Sequence, residues 1–347
     1  MSSILSLRVA PVPTFLRRLS VRRYAPGLAV AVGLAVTAEE LRRLPGMSVL
    51  SPAILAILLG MAARRLIGVQ PAWRPGLAIA MRTMLRLGVV LLGLQITLGQ
   101  IAALGADGLA VVAGGMAACF FGTLWLGRRL GVAPRLTRLI AAGTSVCGAS
   151  AVVGVNSVTQ GSDEEVAYAL AAVTLFGTLA MLASPLVGPL LGLDRGATGL
   201  WMGASIHEVA QVVGAASQLG DETVRSATVA KMARVLMLAP LVLMLAAFGR
   251  GAAKATAQPA AKLPVPWFVF GFLALAGLAS LGIVPASVTR QAGVAAGFLL
   301  AAALAAMGFG VDPLALRRVG PRPLLLASAS WLLIAGVSFG LLQVVGG

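Results

Sequence analysis

The only histidine in the chain, His207, stands beside Glu208 in the apolar run Gly199–Ser217. Ionisable groups inside a segment able to span a membrane are costly, so they mark an ion, proton or substrate pathway by default. A carboxyl held there is a natural carrier of a proton, and histidine is the side chain that titrates nearest physiological pH. His207 and Glu208 are therefore the candidate coupling residues. Gln211 follows Glu208 at i+3 and His207 at i+4, on a helical face that either can share. The plain alternative is that a lone histidine simply packs.

The same rhythm occurs earlier, where Gly143-Thr-Ser-Val-Cys-Gly-Ala-Ser-Ala-Val-Val-Gly154 aligns with Gly203-Ala-Ser-Ile-His-Glu-Val-Ala-Gln-Val-Val-Gly214 and places Cys147 opposite His207. Gly143 and Gly203 are each followed by small or hydroxyl-bearing residues, a composition that weakens a helix. An interrupted helix at membrane depth must line a cavity or be buried in protein. Its new N-terminus then offers free N–H groups to an anion. Close packing through small residues explains the glycines equally well without a ligand. Lys231 and Arg234, three apart, share one helical face. Lys231 is expected to reach the outer surface by its long stem, whereas the deeper Arg234 needs Glu208 or a bound anion. Gly143, Thr144, Ser145, Cys147, Gly148, Gly203, Ser205, Gln211, Lys231 and Arg234 thus form the candidate substrate-binding set.

Other chemistry finds little support. Ser205 and His207, two apart, do not face each other on a helix, so no nucleophile–base pair forms and no catalytic residue is expected. Cys119 and Cys147 lie in apolar runs without metal-type spacing, and no phosphate-binding glycine loop occurs. Neither a metal nor a cofactor is implied.

Hydrophobic residues make up 59% of the 347 and charged residues 11%, with a mean hydropathy of +0.96. That is the composition of an integral membrane protein. The 27 Lys and Arg against 11 Asp and Glu do not point to nucleic acid, because no polar domain exists to carry a basic face. About eleven stretches approach the length of a spanning helix. They are 24–38, 47–63, 87–105, 108–127, 139–158, 166–191, 199–219, 226–248, 265–284, 291–310 and 323–345. Residues 72–86, with Arg82 and Arg86 four apart, read as an amphipathic lead-in to the third. Residues 1–23 form a basic arm, and 24–347 a single transmembrane domain. With the arm cytoplasmic, arginines and lysines collect on one side and acids on the other. The expected topology is N-terminus inside, C-terminus outside.

Leu92–Gly105 parallels Met307–Gly320 at a constant offset, on helices expected to run in opposite directions. That is the mark of an inverted repeat in secondary transporters, although Gly-x-Leu patterns also recur by chance among 42 glycines. The 143/203 match fits less easily, since fully spanning helices there would run parallel. Either one segment is re-entrant or the likeness reflects similar local packing.

The stretches 50–61, 85–93, 141–152 (A-A-G-T-S-V-C-G-A-S-A-V), 203–213 (G-A-S-I-H-E-V-A-Q-V-V) and 228–235 (T-V-A-K-M-A-R-V) together resemble the bacterial YeiH-type family, whose members are labelled sulfate exporters. The resemblance runs from about residue 26 onward. It implies an inner-membrane protein of the cation:proton antiporter and anion transporter superfamily, with inverted repeats and helices interrupted at mid-membrane. The expectation is an all-α polytopic secondary transporter exporting a small anion, sulfate or sulfonate-related, coupled to H+ or Na+, embedded in lipid and with homodimerisation open. Two rival readings stand beside it: a cation:proton antiporter, which would want more buried acids than Glu208 alone, and an intramembrane enzyme.

Overall fold

The computed structural model describes residues 14–44, 50–68, 70–249, 267–310 and 320–345, and among them every regular element is helical. In order these are α1 (Thr14–Arg42), α2 (Pro52–Ile67), α3 (Pro71–Gln95), α4 (Leu98–Ala102), α5 (Gly105–Arg129), α6 (Pro134–Ser145), α7 (Ala149–Thr159), α8 (Asp163–Leu190), α9 (Arg195–Ser205), α10 (Val209–Ala216), α11 (Asp221–Leu236), α12 (Leu238–Gly249), α13 (Trp267–Ser280), α14 (Ala286–Gly310) and α15 (Pro321–Val345). Among the described residues, seven stretches are long and apolar enough to cross a membrane: α1, α3, α5, α8, α11 with α12, α14 and α15. The last part of the basic arm is already helix, since α1 begins at Thr14.

Residues 72–86 are not a surface lead-in. They belong to α3, one continuous 25-residue span in which a five-residue π-helical turn, Ala80–Met84, is inserted. The span ends at Gln95, where Ile96 and Thr97 turn extended and Thr97 caps the short α4. Helices α3 and α14 run antiparallel: Gly88 lies against Leu300, and Gln95 donates to the Thr289 carbonyl. That direction agrees with the repeat read in Leu92–Gly105 and Met307–Gly320, although 311–319 lie outside the described residues.

Neither 139–158 nor 199–219 crosses the bundle. Helix α6 stops at Ser145, Gly148 takes φ 65°, ψ −125°, and α7 turns back. Gly143 consequently packs on Val152, and Gly161, beyond the end of α7, lies against Leu139 in the first half of α6. Had α7 continued the direction of α6 as one helix, about 33 Å would separate Leu139 from Gly161.

Helices α9 and α10 form a second hairpin. Gly199 lies beside Thr223 and Ser226, and Gly203 beside Ala227 and Ala230, so α9 and α11 run parallel from a common end. Only Ser217–Gly220 link α10 to Asp221, and four residues reach about 14 Å at most. Helix α10 must therefore return towards the start of α9. Along α8, Thr198 packs at Gly188, Gln211 at Gly177 and Gly214 at Met181, which shows the return directly.

The hairpins enter from opposite ends. The first follows α5, whose last turn at Gly127 meets Thr137, and the second follows α8, which runs the other way. Each hairpin plus its following helix, α6–α8 and α9–α12, is thus an inverted copy of the other. This resolves the 143/203 match: parallel spans become antiparallel hairpins. It also moves charges. Asp107, Asp194 and Glu222 line one cavity of about 650 Å³ at the end shared by α5, α9, α11 and the end of α15.

Reporter fusions should consequently place positions 131 and 163 on one side, and 194 and 221 together on the other. A fusion series that alternates at each of these four positions would restore full crossings for both segments.

Candidate functional site

The two hairpin tips, Val146–Gly148 and Ile206–Glu208, meet near the middle of the bundle around α11. A helix ends with carbonyls that lack intrahelical partners, and both α6 and α9 end deep in the protein. Their carbonyls are satisfied by two cations from α11. Arg234 donates from Nε to the Ser145 carbonyl at 3.0 Å, from Nη1 to those of Gly203 and Ile206 at 3.1 and 2.9 Å, and from Nη2 to those of Thr144 and Ser145 at 2.8 Å each. Lys231 Nζ donates to the carbonyls of Val146 at 2.9 Å and Ile206 at 2.7 Å. Both side chains are fully buried.

Three expectations change here. Lys231 does not reach the surface, because its ammonium is needed at the tips. Arg234 does not pair with Glu208; among the described residues the one ion pair is Arg43–Glu40. All five guanidinium N–H groups, the full set an arginine has, point at main-chain carbonyls, so the planar fork closes the hairpins and leaves no donor for an anion. Gly143 and Gly203 do not break their helices either, since the breaks fall a turn further on. Gly203 instead permits close approach, because a Cβ there would stand 2.4 Å from the Ala227 carbonyl oxygen.

Glu208 is the N-cap of α10 and sits in extended backbone rather than mid-helix. Its Oε1 accepts from the Ala149 N–H, the first of α7, so one carboxylate closes the N-terminus of the opposite hairpin. Gly148 makes this possible: a Cβ there would stand 2.0 Å from Glu208 Oε1. Gln211 locks the arrangement, accepting from the Glu208 N–H at 3.1 Å and donating to the Thr174 carbonyl at 3.3 Å. Ser205 bonds its own helix at Trp201. His207 is buried with neither ring nitrogen hydrogen-bonded, and the Ser145 hydroxyl is likewise unpartnered.

A cavity of about 580 Å³ opens beside the tips, lined by Cys147, Ala149, Ser150 and Glu208. Of the residues singled out in the sequence, Cys147 and Glu208 reach it. Arg82 and Arg86 of α3 also line it, outside the candidate set named from the sequence. Their signal was present in the four-residue spacing, which was attributed to a surface helix.

The fold and site define an all-α polytopic membrane protein built on two inverted, re-entrant hairpins whose tips meet around buried charge. Comparison with known proteins agrees on the class. A family model described as conserved hypothetical protein 698 matches residues 26–327. A UPF0324 membrane protein of Corynebacterium glutamicum is 39% identical over 337 residues, covering 96% of each chain. One of Pseudomonas aeruginosa is 38% identical over 348 residues, covering 95% of this chain and 98% of its own. The UPF0324 membrane protein TauZ of Paracoccus pantotrophus is 40% identical over 288 residues, covering 82% and 84%. The chain belongs to the UPF0324 membrane protein family, consistent with the YeiH-type resemblance.

Substitution at Gly148 separates strain from site geometry. Gly148→Ala should lower stability by about 1–3 kcal/mol through backbone strain alone and by more through the clash with Glu208. Gly105→Ala, at φ 62° with open space around it, should show strain only. Equal melting-temperature losses for the two variants would mean that Glu208 does not hold the tip.

Proposed function

We propose that the protein is a secondary active transporter that moves a small anion, sulfate or sulfonate-related, out of the cell in exchange with or alongside H+ or Na+. The observation that carries the reading is the meeting of two inverted hairpin tips at mid-bundle beside a cavity, the place where secondary transporters built from inverted repeats hold a site that each side of a membrane can address in turn. The distribution of arginine supports orientation: Arg64, Arg65, Arg74, Arg128, Arg129 and Arg322 gather at the end where α1 begins, together with the acidic first turn of α8 at Asp163, Glu164 and Glu165, while Asp107, Asp194 and Glu222 share the other end with Arg225. By the positive-inside rule the first end is cytoplasmic, in a bacterial inner membrane, with the C-terminus outside.

Glu208 is the coupling residue in this scheme. Its carboxylate holds the N-terminus of α7 and also borders the cavity, so ligand occupancy and proton uptake act on one group. His207, unpartnered beside it, tunes the site. Lys231 and Arg234 hold the two hairpin tips together and do not read the substrate.

Purified protein in liposomes tests this. Glu208→Gln keeps an acceptor on the Ala149 N–H, so it should exchange anion for anion at near wild-type rate while losing pH-driven accumulation. A variant that still accumulates substrate down an imposed pH gradient would remove Glu208 from coupling. Arg234→Ala should destabilise the protein by on the order of 3 kcal/mol or more, because several buried carbonyls lose their donor. Arg234→Lys should recover only part, since an ammonium cannot span both hairpins as a planar fork does. Full recovery of melting temperature by lysine would count against the clamp.

A further inference from the structure

We infer that the cavity between α3 and the hairpin tips binds an organic anion, an oxyanion head on a short apolar body, and that Arg82 and Arg86 read its charge. This deepens the transport reading and rests on it. The first support is the position of the two arginines. They lie near the middle of the 25-residue α3 span, four residues apart on one face, and both line the same cavity. Neither has a hydrogen bond or ion pair among the described residues. Cations at membrane depth normally pair with a carboxylate or main-chain carbonyls, as Lys231 and Arg234 do. Arg82 and Arg86 are left facing space.

The second support is local backbone. The π-helical turn Ala80–Met84 encloses Arg82, and such single turns mark functional positions in otherwise regular helices. Across the cavity stands the first turn of α7, with the exposed Ser150 at its second position. The third support is the remaining lining. Met81, Leu85, Leu238, Phe268 and Met307 make an apolar wall, and about 580 Å³ falls within the roughly 300–1,000 Å³ of small-molecule sites. A bare tetrahedral oxyanion would fill little of that space and would leave the wall without a partner. A sulfonate or carboxylate carrying a short hydrocarbon chain uses both surfaces. Glu208, on the same lining, is the one carboxylate that the ligand must approach, which places the anion beside the coupling group.

The same head-and-tail chemistry could come from an anionic lipid, and the experiment separates the two sources. Purified full-length protein in detergent would be titrated with sulfate, ethanesulfonate, propanesulfonate and butanesulfonate, and then assayed in liposomes for counterflow of the same compounds. Affinity should rise about two- to fourfold per methylene. Arg82→Gln and Arg86→Gln should each weaken binding about tenfold, the loss of one charge-assisted hydrogen bond, with the melting temperature of the ligand-free protein unchanged. Arg→Lys at either position should fall between, since it keeps charge without the fork. Sulfate binding as tightly as butanesulfonate, or a double glutamine variant with wild-type affinity, would overturn the inference. So would displacement of the sulfonates by phosphatidylglycerol, but not phosphatidylcholine, in a protein that shows no sulfonate counterflow. If wild-type protein exchanges anions and the arginine variants do so equally well, this site fails while the transport reading stands. Arginine-dependent binding of soluble sulfonates without exchange of any anion would instead defeat the transport reading and leave the site.

Discussion

Everything in this fold depends on how two helices can end in the middle of an apolar bundle. Each end exposes carbonyls that water would normally satisfy, and an unsatisfied buried polar group costs about 1–3 kcal/mol. Arg234 and Lys231 answer for both hairpins at once, because Thr144, Ser145 and Val146 on one side and Gly203 and Ile206 on the other converge on them. A guanidinium suits this task better than any other group. It carries five donors in a fixed plane and stays charged, and partial negative charge collects at a helix C-terminus. The two halves of the inverted repeat are joined at that point, and α11, packed along α9 through Gly199 and Gly203, brings the cations to it.

The opposite helix ends are handled differently, and the difference sorts the charged residues by role. Helix α7 begins at Ala149 with its N–H on Glu208, so an N-terminus of the kind that attracts free anions is occupied by a carboxylate from the protein. Arg234 cannot bind an anion without releasing carbonyls. The groups already engaged at the tips therefore set architecture, and charge that is still available for a ligand has to come from another element. Among the described residues α3 supplies it, in two arginines on one face of the cavity.

Much of this was legible from residues alone, and the failures share one cause. Composition and hydropathy gave the membrane class and located each apolar segment, and the matched runs at 143–154 and 203–214 marked the two tips. What could not be read was direction. A hairpin of two half-helices and a single spanning helix have nearly the same length and composition, since 134–159 and 195–216 each hold enough apolar residues to cross. The break at Ile206–Glu208 contains no glycine or proline, and it is stabilised by Lys231 and Arg234 from a later helix. Local propensity carries no trace of such a partner. Charge counting failed to expose the error because two missed reversals cancel: the segments after the second hairpin return to the expected sides. Arg82 and Arg86 were misplaced for a related reason. An i,i+4 pair looks the same whether the face they share meets water or an internal cavity, and only packing distinguishes them.

The placement of Glu208 gives the inverted repeat a functional asymmetry. In the first hairpin the matching position is Gly148, whose missing side chain leaves the space that the Glu208 carboxylate fills. One repeat thus contributes a charge and the other the room for it. A symmetric pair of carboxylates would face each other across the tips and repel, and a symmetric pair of glycines would leave both half-helix N-termini open to water or ions. With one of each, the N-terminus of α7 is held by a single titratable group that also borders the cavity beside the tips. In the transport reading this is what links the two fluxes. Protonation removes the charge that favours the Ala149 contact and at the same time removes the negative charge nearest an incoming anion. Both effects act in the same direction, so one proton suffices to loosen the tip and admit the ligand.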